Sequence, residues 1–146
     1  MQLIPIEIDA SQNKIFLDEP ECKAVLEVFY SHYKKVGFHK PWIAYFVIDD
    51  HNNIVGGGGF KGKPKDGKVE ISYGTFKFHE GKGVSTEICK QLVILALKTD
   101  PTLRVTARTL PKNNASIGVL KRNGFVCLGS IVDEDDGDVL EWELKK

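Results

Sequence analysis

The stretch from Val69 to Ala96 constrains the fold more than any other part of this 146-residue chain. Val69, Ile71, Tyr73 and Thr75 alternate with Glu70, Ser72 and Gly74, the period of a strand with one buried face. Val84, Ile88, Leu92, Leu95 and Ala96 then recur at helical spacing over four turns, with Lys90 and Lys98 on other faces. Between them lies Phe78-His79-Glu80-Gly81-Lys82-Gly83, so a strand has to turn within a few residues into the clearest helix of the chain. The two glycines permit a sharp turn and leave consecutive N–H groups at the positive end of the helix dipole.

The flanking elements fall into place around this unit. Leu3, Ile4, Ile6 and Ile8 suggest an opening strand, which Pro5 assigns to an edge. Asp18 ahead of Glu19, Pro20 and Glu21 reads as a helix start, and Cys22, Val25, Leu26, Phe29, Tyr33 and Val36 carry that helix to Gly37. Residues 41–49 and 54–60 form a hairpin around Asp49-Asp50-His51-Asn52-Asn53. Pro101 ends the central helix. Leu103 to Leu110 is a strand, Asn114 to Arg122 a short helix left through Asn123-Gly124, and Phe125 to Val132 and Val139 to Leu144 are strands joined by an acidic turn. The order predicts a mixed sheet with helices on its faces, an α/β (α+β) arrangement. With 42% apolar and 27% charged residues, no repeat and no low-complexity linker, residues 1–146 are expected to form a single domain.

Charge and motif spacing exclude several functions. Twenty basic residues balance twenty acidic ones, and Lys61, Lys63, Lys65 and Lys68 are interleaved with Gly62, Pro64, Asp66 and Gly67 as in a solvated turn, so neither nucleic acid nor a membrane is an expected partner. Cys22, Cys89 and Cys127 form neither a zinc knuckle nor a disulfide framework, and His32, His39, His51 and His79 lack metal-ligand spacing, so no metal is expected. Without a basic leader or an apolar run of membrane length, the cytoplasm is the expected compartment. Lys82 is followed by Gly83 rather than Ser or Thr, which fails a Walker loop, and Gly57-Gly58-Gly59-Phe60-Lys61-Gly62 leads into Lys63-Pro64 rather than a helix, which fails a dinucleotide fingerprint. That glycine run reads instead as a strand that lets another backbone or a ligand come close. Asp133, Asp135, Gly137 and Asp138 are out of register for a calcium loop.

The Gly81 and Gly83 turn suits a phosphate, and it equally suits a plain strand-to-helix connection. A second segment, taken with it, is more specific than either alone. Glu80-Gly81-Lys82-Gly83-Val84-Ser85 resembles the signature Gln/Arg-x-x-Gly-x-Gly/Ala of the GNAT superfamily of acyl-CoA N-acyltransferases, continued by Thr86-Glu87 as in its ribosomal-protein N-terminal acetyltransferases. Asn113-Asn114-Ala115-Ser116, followed by Val119-Leu120-Lys121-Arg122-Asn123-Gly124-Phe125, is similar to the second signature of that branch. The resemblance spans residues 43–144, with Glu80 standing for a basic or amide residue and Ser85 for Gly or Ala.

The resemblance implies a mostly antiparallel sheet of about seven strands, splayed at the middle, and the use of acetyl-CoA as co-substrate with a primary amine as acceptor. It places the diphosphate on the backbone of Glu80, Gly81, Lys82, Gly83, Val84 and Ser85, and pantetheine beside Thr75, Phe76 and Lys77, with an N–H near Phe76 as oxyanion donor. Asn113 would bond coenzyme A or the preceding loop. Glu70 is the candidate base and Ser116 the candidate proton donor to the leaving thiolate. Glu70 also reads as a solvent-facing strand carboxylate, and Ser116 as a helix cap. Glu80 favours an alternative function, an acyl-CoA sensor of the same fold. Phe29, Tyr30, Tyr33, Phe38 and Trp42 line the acceptor pocket or form core. Nothing in the sequence selects an acyl-chain length or a homo-oligomer.

Overall fold

In the computed structural model, which describes residues 1–146, the central alternation becomes strand β4 (Lys68–Thr75) and the helical spacing becomes α2 (Val84–Thr99). Before them come β1 (Gln2–Pro5), α1 (Pro20–Val36), β2 (Ala44–Ile48) and β3 (Ile54–Phe60). After them come β5 (Arg104–Thr109), α3 (Asn114–Arg122), β6 (Phe125–Asp133) and β7 (Gly137–Leu144). The seven strands make one sheet in the order β1-β2-β3-β4-β5-β7-β6. Every neighbouring pair is antiparallel except β4 and β5, which run parallel. No helix is long and apolar enough to cross a membrane.

The glycine run of β3 sets how closely α2 lies on the sheet. A Cβ at Gly58 would stand 2.8 Å from the Ser72 carbonyl oxygen and 3.1 Å from both Ile88 Cγ2 and Leu92 Cδ1. Glycine therefore lets Ile88, Cys89, Leu92 and Ala96, all fully buried, rest on the strand backbone itself. Gly57 points the other way, toward Phe46 of β2, whose ring packs 4.5 Å from Phe16. On that second face α1 buries Cys22, Leu26 and Tyr33. The Tyr33 hydroxyl donates to the Ile6 carbonyl at 2.8 Å and accepts from the Ala44 amide at 3.0 Å, fastening α1 to the chain on either side of β2's start.

Several boundaries differ from the sequence reading. Residues 10–16 form a 3-10 helix, which the apolar spacing does not show because its cap is polar: Asp9 Oδ1 accepts from the Ser11 amide. Its Asn13 side chain, wholly buried, is satisfied by the Glu7 backbone and the Tyr30 hydroxyl. Helix α1 is capped by Glu19 rather than Asp18, with no side-chain cap bond. The first strand ends at Pro5, and β2 begins only at Ala44, because the amides of Trp42 and Ile43 close turns onto the His39 and Pro41 carbonyls.

The Gly58→Ala substitution is expected to lower unfolding free energy by about 1–3 kcal/mol, the usual cost of overpacking. Urea denaturation should show a lower midpoint with an unchanged slope.

Candidate functional site

Strands β4 and β5 stay in register only from Lys68 opposite Arg104 to Ile71 opposite Ala107. On its other side β4 remains paired with β3 to its end, Thr75 lying opposite Gly56. The Glu70 carbonyl accepts from Lys61 and the Phe76 amide donates to Val55, both on the β3 side. Alternation along the strand then directs the main-chain groups of Tyr73 and Thr75 toward β5, where no residue of β5 lies in register with them. The sheet thus opens at its centre. The amide of Phe76, which the resemblance offered as oxyanion donor, is already committed to Val55 at 2.9 Å, and its carbonyl accepts from His79. Lys77 opens a short 3-10 turn, Lys77–His79, and is exposed.

At the mouth of α2, Gly81 and Gly83 both adopt left-handed backbone angles, with φ of 79° and 76°. Gly83 caps the helix without any side-chain bond. The amides of Gly81, Lys82, Gly83, Val84, Ser85 and Thr86 donate to no protein acceptor. A cavity of about 460 Å³ lies against them, walled by Thr75, Glu80, Gly81, Gly83, Val84, Ser85, Thr86, Ala115, Val119 and Arg122. Glu80 is exposed. Ser85, the residue that departs from the signature, exchanges a hydrogen bond of 2.6 Å with Thr75 Oγ1 and so ties the helix to the end of β4.

A second cavity, of about 210 Å³, occupies the opening between β4 and β5 and is lined in part by Ser72, Tyr73, Arg108, Asn113, Ser116 and Asp136. Asn113 Oδ1 accepts from the Ser116 amide at 3.1 Å, so Asn113 is the cap of α3 and Ser116 sits in its first turn. The Ser116 hydroxyl is free of capping duty and lies 3.1 Å from the Tyr73 hydroxyl. Burial pushes the Tyr73 phenol up to about 12, only partly offset by the Ser116 hydrogen bond, so it keeps its proton at any ordinary pH. A third cavity, of about 310 Å³, lies on the α1 face over Gly57 and Gly74, with Val25, Phe29 and Phe76 in its wall. It shares Ser72 and Tyr73 with the second cavity and Thr75 with the first, so the three follow one another along the outer half of β4.

Glu70 is not brought to Ser116. Its carboxylate stands between Lys61 Nζ, 2.7 Å from Oε2, and Arg108 Nε, 3.7 Å from Oε1. The first is a charge contact without hydrogen-bond geometry, since Oε2 is buried with no hydrogen-bond partner, and the second is too long for a hydrogen bond. Arg108 also bonds Asp133 at 2.9 Å and lies 3.9 Å from Glu141. That hydrogen bond, with the amides of Asp135 and Asp136, holds the Asp133 carboxyl down at about 2. The aromatic stripe divides: Tyr33, Phe38 and Trp42 pack into the interior against one another or Phe60, Tyr30 accepts from Asn13, and Phe29 alone reaches a cavity wall. Arg122 is the cation the sequence reading overlooked; its Nε donates to Thr86 Oγ1 at 3.1 Å, bringing it to the amide-lined cavity. Its position, the last turn of α3, gave no signal beyond an ordinary basic helix end. No three His, Cys, Asp or Glu side chains gather as a metal-ligand set.

Residues 9–126 match the family described as acetyltransferase (GNAT) domain. Over 86 residues the chain is 38% identical to the uncharacterized N-acetyltransferase YjdG of Bacillus subtilis (strain 168), a stretch making up 58% of this chain and 50% of that protein. The chain thus spans about half the length of this curated relative. Among solved structures, a chimera of the spermidine N-acetyltransferase SpeG from Vibrio cholerae and hSSAT superposes with a TM-score of 0.71 at 18% identity, covering 99% of this chain and 95% of that one. A mutant form of the same SpeG gives 0.69 at 16% identity, with 99% and 94% covered. At these identities the superpositions speak for the fold, a mixed seven-stranded sheet open at its middle.

The Arg108 cluster makes stability depend on acid. Asp133 has its folded pKa depressed, so its contribution is present above the ordinary carboxylate range and is lost as pH falls toward about 2. In melting experiments, Arg108→Met should be less stable than the parent at pH 7, and the difference should shrink between about pH 4 and pH 2.

Proposed function

The chain belongs to the GNAT acetyltransferase family, and we propose that residues 1–146 act as a single cytoplasmic domain that moves an acetyl group from acetyl-CoA to a primary amine by direct attack in a ternary complex. The observation that carries this reading is the row of six amides without a protein acceptor, Gly81 to Thr86, of which Gly81, Gly83, Val84, Ser85 and Thr86 belong to residues that line one cavity. A diphosphate fits such a row: the dipole is positive there, and no side-chain cap competes for the donors. Glycine at 83 leaves nothing within 4 Å of where a Cβ would project, so the approach is clear. Arg122 adds a positive charge to the same cavity, and the exposed Glu80 carboxylate is screened by water.

Acetyl-CoA supplies a thioester whose C–S bond breaks as the amine nitrogen bonds to the acyl carbon, one proton leaving the amine and the sulfur departing as a thiolate. In our reading the main chain of Tyr73 and Thr75 holds the pantetheine arm in the opening beside β5, where the strand's own partner is missing. Phe76 and Lys77 border that arm by position, with the Phe76 amide held by Val55. Ser116 is the donor to the departing sulfur, and Tyr73, which stays protonated, orients it. Asn113 positions Ser116 by capping α3. Glu70 takes the amine proton through water, its carboxylate shared with Lys61 and Arg108.

An α-amine needs the least help in losing its proton. With a reference pKa of about 7.8, it is roughly one-tenth neutral at pH 7, whereas a lysine at about 10.4 is neutral a few times in ten thousand. This agrees with the branch of N-terminal acetyltransferases that the two signatures resemble, an assignment resting on those signatures alone. The sensor alternative, favoured by Glu80 in the anion loop, predicts binding without turnover.

Calorimetry should detect coenzyme A binding to the parent, weakened at least about tenfold in Gly83→Val, where a side chain would have to adopt a left-handed backbone beside the donors. Free-thiol release with acetyl-CoA and an amine panel separates enzyme from sensor. Tyr73→Phe and Ser116→Ala should each lower kcat by about tenfold to a hundredfold with little change in the KM for acetyl-CoA.

A further inference from the structure

The cavity on the α1 face has a wall unlike those of the other two. None of its lining residues is Asp, Glu, Lys, Arg or His. Its floor is the cross-strand pair Gly57 and Gly74, a flat piece of backbone, and its roof is formed by Val25 and Phe29 of α1, with Phe76 in the wall. Above Gly74 there is open space: a Cβ built there meets nothing within 4 Å. Hydroxyl groups at Ser72 and Thr75 are the polar side chains short of Tyr73, and Thr75 is engaged by Ser85.

The carboxylate on the same strand face is Glu70, two residues from Ser72, and it is held by Lys61 and Arg108. The one carboxylate of β4 on this face is therefore already paired, through an arginine it shares with Asp133 and Glu141, and it does not line the cavity. An ammonium group placed deep in it would lose its water and gain no partner, an arrangement that is strongly disfavoured. An apolar group there would exchange water for Phe29, Phe76 and Val25. The cavity adjoins the β4–β5 opening through Ser72 and Tyr73, so a molecule lodged in it reaches the opening from the face opposite α2.

We infer that this cavity is the acceptor's side-chain pocket, and that the acceptor is an amine carrying a single basic nitrogen on an apolar, aromatic or branched body, in the first instance the α-amine of an apolar residue. A polyamine is the wrong chemistry for it, because its second and third cations would meet an uncharged wall. The inference rests on the acetyltransferase reading and adds the substrate class to it. Gly74 is the residue that keeps the pocket open; its backbone is not left-handed, so a larger side chain enters the cavity without strain on the strand.

The test measures binding and turnover separately. With coenzyme A bound, calorimetry is run with phenylalaninamide, glycinamide and spermidine, and the same three amines, with a Phe-Ala-Ala peptide amide to tell a chain terminus from a free amine, are compared for thiol release from acetyl-CoA. Phenylalaninamide is expected to bind and react at least about tenfold better than glycinamide or spermidine. Gly74→Val is expected to cost phenylalaninamide about tenfold more in affinity than it costs glycinamide or coenzyme A. Preference for spermidine, equal response to all three amines, or coenzyme A binding with no heat from phenylalaninamide overturns the inference and leaves the family reading standing. Failure to bind coenzyme A at all removes the acetyltransferase reading, and this inference with it.

Discussion

Everything distinctive in this molecule follows from two parallel strands that part after four paired residues. Strands β4 and β5 share a register up to Ile71 and Ala107, then diverge, while β4 stays bonded to β3 as far as Thr75. A sheet that opens in its middle exposes main-chain donors and acceptors that would otherwise be consumed in a ladder. Such groups are tolerable only where a ligand or water satisfies them, which makes the split a structural cost that a bound molecule can offset. The opening also connects the two faces of the sheet, so that the cavity at α2 and the cavity under α1 approach each other across a layer one strand thick.

The packing around the split is arranged to keep it rigid. On one side the glycines of β3 let Ile88 and Leu92 of α2 lie against the backbone, fixing the helix whose first turn faces the amide-lined cavity. The Thr75 and Ser85 hydroxyls bond across the turn between strand and helix. Beyond the split, Arg108 gathers Glu70, Asp133 and Glu141 from three other strands, so one guanidinium braces the two halves of the sheet on the face away from α2. A network of this kind holds geometry better than isolated surface pairs do, because each side chain is already ordered by its neighbours.

How much of this was legible in the chain depended on which atoms carried it. Apolar spacing made β4, α2 and α3 plain, and the glycine run of β3 was readable as a place of close approach. The order of elements followed. Polar caps were harder: the 3-10 helix at residues 10–16 is held by Asp9 and a buried Asn13, neither of which leaves a hydrophobic period. At the site, Gly81 and Gly83 announced the sharp turn at the mouth of α2, yet the partners of Glu70 come from β3's end and β5, distant in sequence, and could not be read from a strand pattern. Arg122 and the Tyr73–Ser116 pair were hidden for the same reason, since contacts across 36 and 43 residues are products of the fold.

The donors at the entrance of α2 belong to the peptide chain, which every residue shares. What the place requires is a pair of left-handed turns at 81 and 83 and a clear space above them, while the side chains at 80 and 82 make no bond that holds those turns. A feature written in conformation leaves only a faint trace in spelling, and an acid at position 80 can coexist with a row of unpartnered amides.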